Sequence, residues 1–222
     1  MLKFINIHSH KNEEIWNAEF KIISILPGEL AEMTEGWFYS AGLHPWTLDE
    51  LSVEKNLAEL ENFLSHPALI AIGESGLDRA RPDIDFKMQE FVFKKHAGLA
   101  ESAGKPLIIH CVRAYSDLIR IKKELSPLVP WIIHGFQGNG QITEQLLKHG
   151  FYLSFGKAIF NNSKTRKILA SVNTDRFFLE TDESDYNIDE LYKKAAEIRN
   201  ITLPELKKIQ AQNFKRIFNI EV

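Results

Sequence analysis

His8 and His10 stand one serine apart at the end of the apolar stretch Phe4-Ile5-Asn6-Ile7. On an extended strand alternate side chains share a face, so the two imidazoles point the same way. Neutral imidazole is the commonest protein ligand of a divalent metal, so this spacing suggests a metal site. Two unrelated surface histidines would produce the same spacing. Four further residues favour the metal: His110 and His134 end the apolar runs PLIIH and WIIH, Glu74 directly follows LIAIG, and Asp182 directly follows FFLET. Any one of them could be a hydrogen-bonded core residue. Together they read as the ligands of a metal centre.

The elements that must position these residues are legible in the pattern. Eight short apolar runs punctuate the chain, at 4–7, 21–26, 38–42, 69–73, 106–110, 131–134, 151–155 and 177–181. From the third run onward the intervening segments have helical spacing. Val53, Leu57, Leu60 and Leu64 form one stripe, with Ser52 as its expected N-cap. Residues 85–106 form another, stopped by Gly104 ahead of Pro106. Two closing helices follow the eighth run, the last capped by Thr202 with Pro204 in its first turn. Apolar strands alternating with helices imply a parallel sheet, and eight of them a TIM-type (β/α) barrel. In such a barrel the carboxyl ends of the strands carry the chemistry, and all six residues fall there. About ten residues join the first run to the second, and about ten the second to the third, too few for ordinary crossover helices. The expected fold is therefore a distorted α/β barrel, one domain over 1–222, with its first two helices shortened or missing.

Composition narrows the partners. The formal charge is −3, from 27 basic and 30 acidic residues, whereas proteins that hold nucleic acid through many phosphates are usually basic. A polynucleotide would have to be gripped locally, with Arg113, Arg79 and Arg81 as the available phosphate contacts. Cys111 is the single cysteine, which excludes an internal disulfide and a thiolate zinc cluster. No apolar run approaches the length of a membrane span, and the opening stretch does not read as a signal peptide. A cytoplasmic protein with no membrane association and no obligate protein partner is expected.

Several ordered motifs, from residue 4 to about 218, resemble the TatD family of metal-dependent hydrolases within the amidohydrolase-like superfamily. They are HSH at 8–10, GLHPW at 42–46, GESGLD at 73–78, KPLIIHCVRA at 105–114, HGFQGN at 134–139, FLETDES at 178–184 and NFKRIF at 213–218. The resemblance implies two divalent ions (zinc, manganese or magnesium), one held by His8, His10 and Asp182, the other by His110 and His134, with Glu74 bridging. It also implies a phosphodiesterase acting on DNA, in which paired ions activate water and clamp the reacting oxygens while Asp182 takes a proton. Arg113 would fork onto a substrate phosphate. His44 would hydrogen-bond substrate or pack against Pro45 and Trp46, and Phe136 with Gln137 would shape the pocket.

The departures from the family pattern are specific. Asn6 stands where the family usually has an aspartate, removing a charge close to the metal ligands. Glu183-Ser184-Asp185 replaces the usual small residue and proline, adding negative charge at the mouth. That charge leaves open a small phosphate ester or amide as substrate, or a small phosphodiester in place of DNA. A non-catalytic metal-binding relative is a further alternative, against which the full ligand set argues.

Overall fold

A computed structural model describes residues 2–10 and 18–222. The eight runs are eight strands: β1 (Phe4–Ser9), β2 (Glu19–Ile25), β3 (Phe38–Ala41), β4 (Leu69–Asp78), β5 (Leu107–Val112), β6 (Trp131–Ile133), β7 (Phe151–Phe155) and β8 (Phe177–Leu179). They follow chain order in one sheet, and every pairing among the described residues is parallel. The fold class is the expected (β/α) barrel. The link from β1 to β2 falls largely on residues 11–17, outside the described residues. Between β2 and β3 the chain makes only a 3₁₀ turn, Pro27–Glu32, so the second crossover lacks its helix as expected.

Contacts within the chain divide it into two compact units, one of residues 24–133 and one of residues 1–23 with 134–222. The 24–133 unit holds β3 to β6 with helices α1 (Val53–Phe63), α2 (Phe86–Ala103) and α3 (Tyr115–Leu125). Val53 and Leu57 of α1 pack with Leu43 and with Val92 of α2. Phe93 meets Trp131 edge-on, with centroids 5.2 Å apart. Each such side chain contributes about 1.5–3 kcal/mol when fully buried. Asp85 caps α2 by accepting from Lys87 N–H, and Gly104 ends it in the left-handed conformation. Ser52 precedes α1 without making a side-chain cap, its hydroxyl pointing instead to Asp49 O at 3.4 Å.

β4 is longer than its apolar run. It continues through Glu74 to Asp78, all ten of its residues are buried, and Gly76 pairs with His110 and Leu77 with Cys111 of β5. Polar residues hide this extension from a hydrophobicity pattern, and glycine permits it. A Cβ at Gly73, whose φ is +118°, would lie 2.2 Å from Ile108 O, and one at Gly76 would lie 1.9 Å from His110 O. Only glycine lets the two backbones approach so closely. Glu74 and His110 therefore lie within strands rather than at their tips.

The other unit holds β1, the start of β2, β7, β8 and helices α4 (Gly140–Lys148), α5 (Ala158–Asn161), α6 (Ser163–Ser171), α7 (Ile188–Arg199) and α8 (Leu203–Phe218). Thr202 caps α8 as expected, in a reciprocal box with Glu205. Phe20 packs at a tilt against Phe214 of α8, and Phe4 meets Tyr192 of α7 edge-on. The buried Tyr192 hydroxyl accepts from Ile5 N–H at 2.8 Å and donates to Ile5 O at 3.0 Å, fixing α7 to β1. Asp182 N–H donates to His8 O at 3.0 Å, and Ser9 bridges in parallel to Asp182, so the chain beyond β8 returns to β1. Among the described residues no helix is long and apolar enough to cross a membrane.

Candidate metal centre

The six expected ligands fall into two sets. In the first, His8 of β1 and His10 just beyond its end face Asp182, which follows β8 at φ +52°. Asp182 Oδ1 lies 3.8 Å from His8 Nε2 and 3.7 Å from His10 Nε2. These separations are too long for hydrogen bonds. They approach the spacing of ligand atoms around one small divalent ion, roughly 3–3.5 Å for bonds of ~2.1 Å. His134 follows β6, and its ring centroid is 4.4 Å from that of His8. His134 Nδ1 is 3.5 Å from Glu180 Oε1, which also accepts from Gly135 N–H at 2.5 Å. Burial opposes ionisation of Glu180, but the neighbouring His134 and His8 imidazoles outweigh it and hold the carboxyl below its usual range. Glu180 thus lies against His134 Nδ1.

Asn6 lies behind the same set. Its Oδ1 accepts from Thr181 N–H at 3.0 Å, while its Nδ2 donates to Thr181 Oγ1 at 2.9 Å and to Glu19 Oε1 at 2.8 Å. The amide is the one side chain of this shape that can donate to a carboxylate and accept a backbone N–H at once. A buried Glu19 therefore gives a chemical reason for asparagine at this position. Burial raises the Glu19 carboxyl above its ordinary value, against the opposing pull of Asn6 and Lys21.

The second set lies on β4, β5 and the turn after β3. Glu74 Oε1 is 2.9 Å from His110 Nδ1 and 3.1 Å from His44 Nε2. Asp78 Oδ2 receives His110 Nε2 at 3.1 Å and Trp46 Nε1–H at 2.7 Å, while its Oδ1 accepts from Ala80 N–H at 2.8 Å. Burial works against ionisation of Asp78, but these donors outweigh it and keep the carboxyl below its ordinary value. An ionised carboxylate only accepts, so a neutral His110 that gives its single ring proton from Nε2 to Asp78 turns its Nδ1 lone pair toward Glu74, which is the tautomer metal ligation requires. In that tautomer two acceptors face each other at 2.9 Å, an arrangement a cation relieves.

His44 differs. Its Nδ1 accepts from Trp46 N–H at 3.1 Å, so the neutral ring carries its proton on Nε2 and is a donor toward Glu74. That tautomer suits a hydrogen bond to substrate or to a ligand carboxylate rather than metal ligation. His96 on α2 supports the turn: its Nε2 accepts from Leu43 N–H at 3.0 Å and its Nδ1 faces Val92 O at 2.8 Å. Asp78, Glu180 and His96 were not identified as site residues from the sequence. The first closes the GESGLD motif and the second stands two residues before Asp182, but His96 carries no sequence signal.

The remaining candidates divide. Arg113 follows β5, exposed and at φ +54°. Phe136 is 1% exposed, its ring edge-on to Phe155, so it is a core side chain rather than a pocket surface. The neighbouring Phe155, Phe177 and Gly138 continue that apolar packing. Arg79 is bidentate with Asp117 and Arg81 with Asp83, so neither offers an uncompensated charge. Cys111 is buried, and burial pushes its thiol up, which excludes it as a nucleophile. Glu183 and Asp185 are exposed, as the sequence implied.

The donor atoms fit divalent ions: imidazole nitrogens and carboxylate oxygens, with ring orientation set by further carboxylates. Comparison with known proteins agrees. The family model of TatD related DNase matches residues 28–219. An uncharacterized metal-dependent hydrolase of Bacillus subtilis, YabD, is 30% identical over 86% of this chain and 81% of its own length. A 3'-5' ssDNA/RNA exonuclease TatD of Edwardsiella piscicida is 33% identical over 64% of this chain and 56% of its own length. The crystal structure of YjjV, a TatD homolog from Escherichia coli, superimposes with a TM-score of 0.86 at 22% identity, covering 99% of both chains. The family match over most of the chain, joined to this ligand set, places the protein in the TatD family of metal-dependent hydrolases.

Proposed function

We propose that the protein is a phosphodiesterase that cleaves DNA with two divalent ions, one in each ligand set. The observation that carries the reading is the duplication: His8, His10 and Asp182 form one nitrogen–oxygen set, and Glu74 and His110 begin another. A TatD relative named as an ssDNA/RNA exonuclease supports the substrate class. His134, whose Nδ1 lies 3.5 Å from Glu180, is a further ligand. Divalent ions bound here would lower the pKa of a coordinated water and neutralise charge on phosphoryl oxygens. Asp182, with 29% of its side chain exposed, accepts the proton of the attacking water. The guanidinium of Arg113 holds a substrate phosphate, and His44 Nε2–H donates to an oxygen of substrate or of Glu74. A cytoplasmic setting belongs to the same reading.

The exposed Glu183 and Asp185 and the neutralised Arg79 and Arg81 favour a second reading, hydrolysis of a small phosphate ester or amide. Metal-stripped protein reloaded separately with zinc, manganese or magnesium separates the two. Bound metal is counted, and release is measured from single-stranded DNA and from a small phosphodiester. Two ions per chain with nucleotide release supports the first reading. One ion at saturation overturns the two-ion centre, and turnover of the small diester alone moves the substrate to the second.

A further inference from the structure

Trp46 is half exposed, at 50%, and is distinguished from the other exposed large apolar residues described by what it touches. Its indole N–H is fixed to Asp78 Oδ2 at 2.7 Å. Its ring meets that of His44 at 4.9 Å and 85°, and that of His110 at 5.6 Å and 73°. The Arg81 guanidinium lies over the indole, 5.2 Å from its centroid, and is itself held by Asp83 in two hydrogen bonds of 3.0 and 2.7 Å. An aromatic ring left in water forgoes the stabilisation of burial. Here it is also immobilised on several sides, beside a candidate metal ligand, and such a surface binds a flat partner at little cost in conformational entropy.

We propose that Trp46, backed by Arg81, is a stacking platform for the base of the nucleotide next to the scissile phosphodiester, an inference that rests on the phosphodiesterase reading. The charge balance points to this partner. With a net charge of −3 and with Arg79 and Arg81 compensated, phosphate contacts alone supply little affinity for a polyanion. Stacking supplies it without net charge and without regard to base identity, since every base has a π-face. The Arg81–Asp83 pair contributes a cation on the ring and no net charge.

The test compares single-stranded oligothymidylate with an oligomer of equal length built from abasic tetrahydrofuran units, using metal-loaded protein. Wild type has the lower KM for the base-bearing oligomer. In W46A the KM for oligothymidylate rises on the order of 5- to 100-fold, while that for the abasic oligomer stays where it was. W46F keeps a ring but loses the bond to Asp78, so it retains the base preference while kcat falls for both oligomers. A W46A protein in which both KM values rise together, or neither moves, overturns the platform and leaves the phosphodiesterase reading standing. If wild type cleaves neither oligomer, the phosphodiesterase reading itself fails and the platform with it.

Discussion

Asp78 and His110 form a pair 3.1 Å apart, carboxylate Oδ2 to imidazole Nε2, between two neighbouring strands. When His110 gives its ring proton to Asp78 through Nε2, the Nδ1 lone pair is left to face Glu74. Asp78 is a positioning residue, since it acts through His110. Asp78→Asn can present its amide N–H to the ring, inverting the tautomer and withdrawing the lone pair. Metal affinity of the Glu74–His110 set should fall by about 10- to 100-fold. Calorimetric titration with zinc checks this, and unchanged affinity would show that Asp78 does not orient the ring.

Asp182 tests the chemistry. Asp182→Asn keeps the shape but cannot take a proton from water. Turnover should fall by about 10²–10⁴, and further if an ion is lost as well. Turnover and metal content are measured on the same sample. Near-native values of both would remove Asp182 as the base.

Asn6 and Glu19 are coupled by a buried 2.8 Å hydrogen bond. Asn6→Asp, which restores the residue usual in the family, sets two carboxylates against each other and removes the donor. Stability should drop by about 2–4 kcal/mol. The double change Asn6→Asp with Glu19→Gln returns a donor to the pair and should recover most of the loss in urea denaturation. Equal stability of Asn6→Asp and wild type would mean the pair is not coupled.

Gly76 and Gly98 should respond oppositely to alanine. At Gly76 the new methyl collides with His110 O, displacing the strand that carries a ligand, so folding yield and activity both collapse. Gly98 lies on the exposed side of α2 with open space around it, and Ala there should stabilise by about 0.5–1 kcal/mol. Thermal melting of the two variants reads the contrast.

His96 gives the fold a pH dependence. Burial lowers its pKa from 6.5 to about 4, with the Val92 carbonyl opposing the shift. Between those values the folded chain binds fewer protons than the unfolded one, so stability is full above pH 6.5 and drains away as pH falls toward 4. The loss is about 3 kcal/mol. His96→Gln cannot titrate, so it should be less stable than wild type at neutral pH, with the gap narrowing across this window. A gap independent of pH in denaturant titrations would show that His96 titrates normally.

The types and order of the candidate ligands are readable from the chain, because imidazole and carboxylate chemistry belongs to single residues and strand periodicity is local. HSH at the end of an apolar run is enough to place two rings on one face. The eight strands, the closing helices and the missing second crossover helix follow from apolar spacing and segment length. Other features depend on neighbours remote in sequence. The two nitrogens of His110 are flanked by Glu74 and Asp78, and the donor role of His44 is set by Trp46 N–H. The extension of β4 through Glu74 was hidden because polar residues are buried there by backbone approach at Gly73 and Gly76, which no hydropathy pattern records. Phe136 follows a ligand in sequence, but packing against Phe155 turns it into the core. Asn6 reads as a lost charge until Glu19, thirteen residues away, is found accepting its amide. Ligand identity is a property of a residue, whereas protonation, exposure and hydrogen-bond direction are properties of its surroundings, and those exist only once the chain has folded.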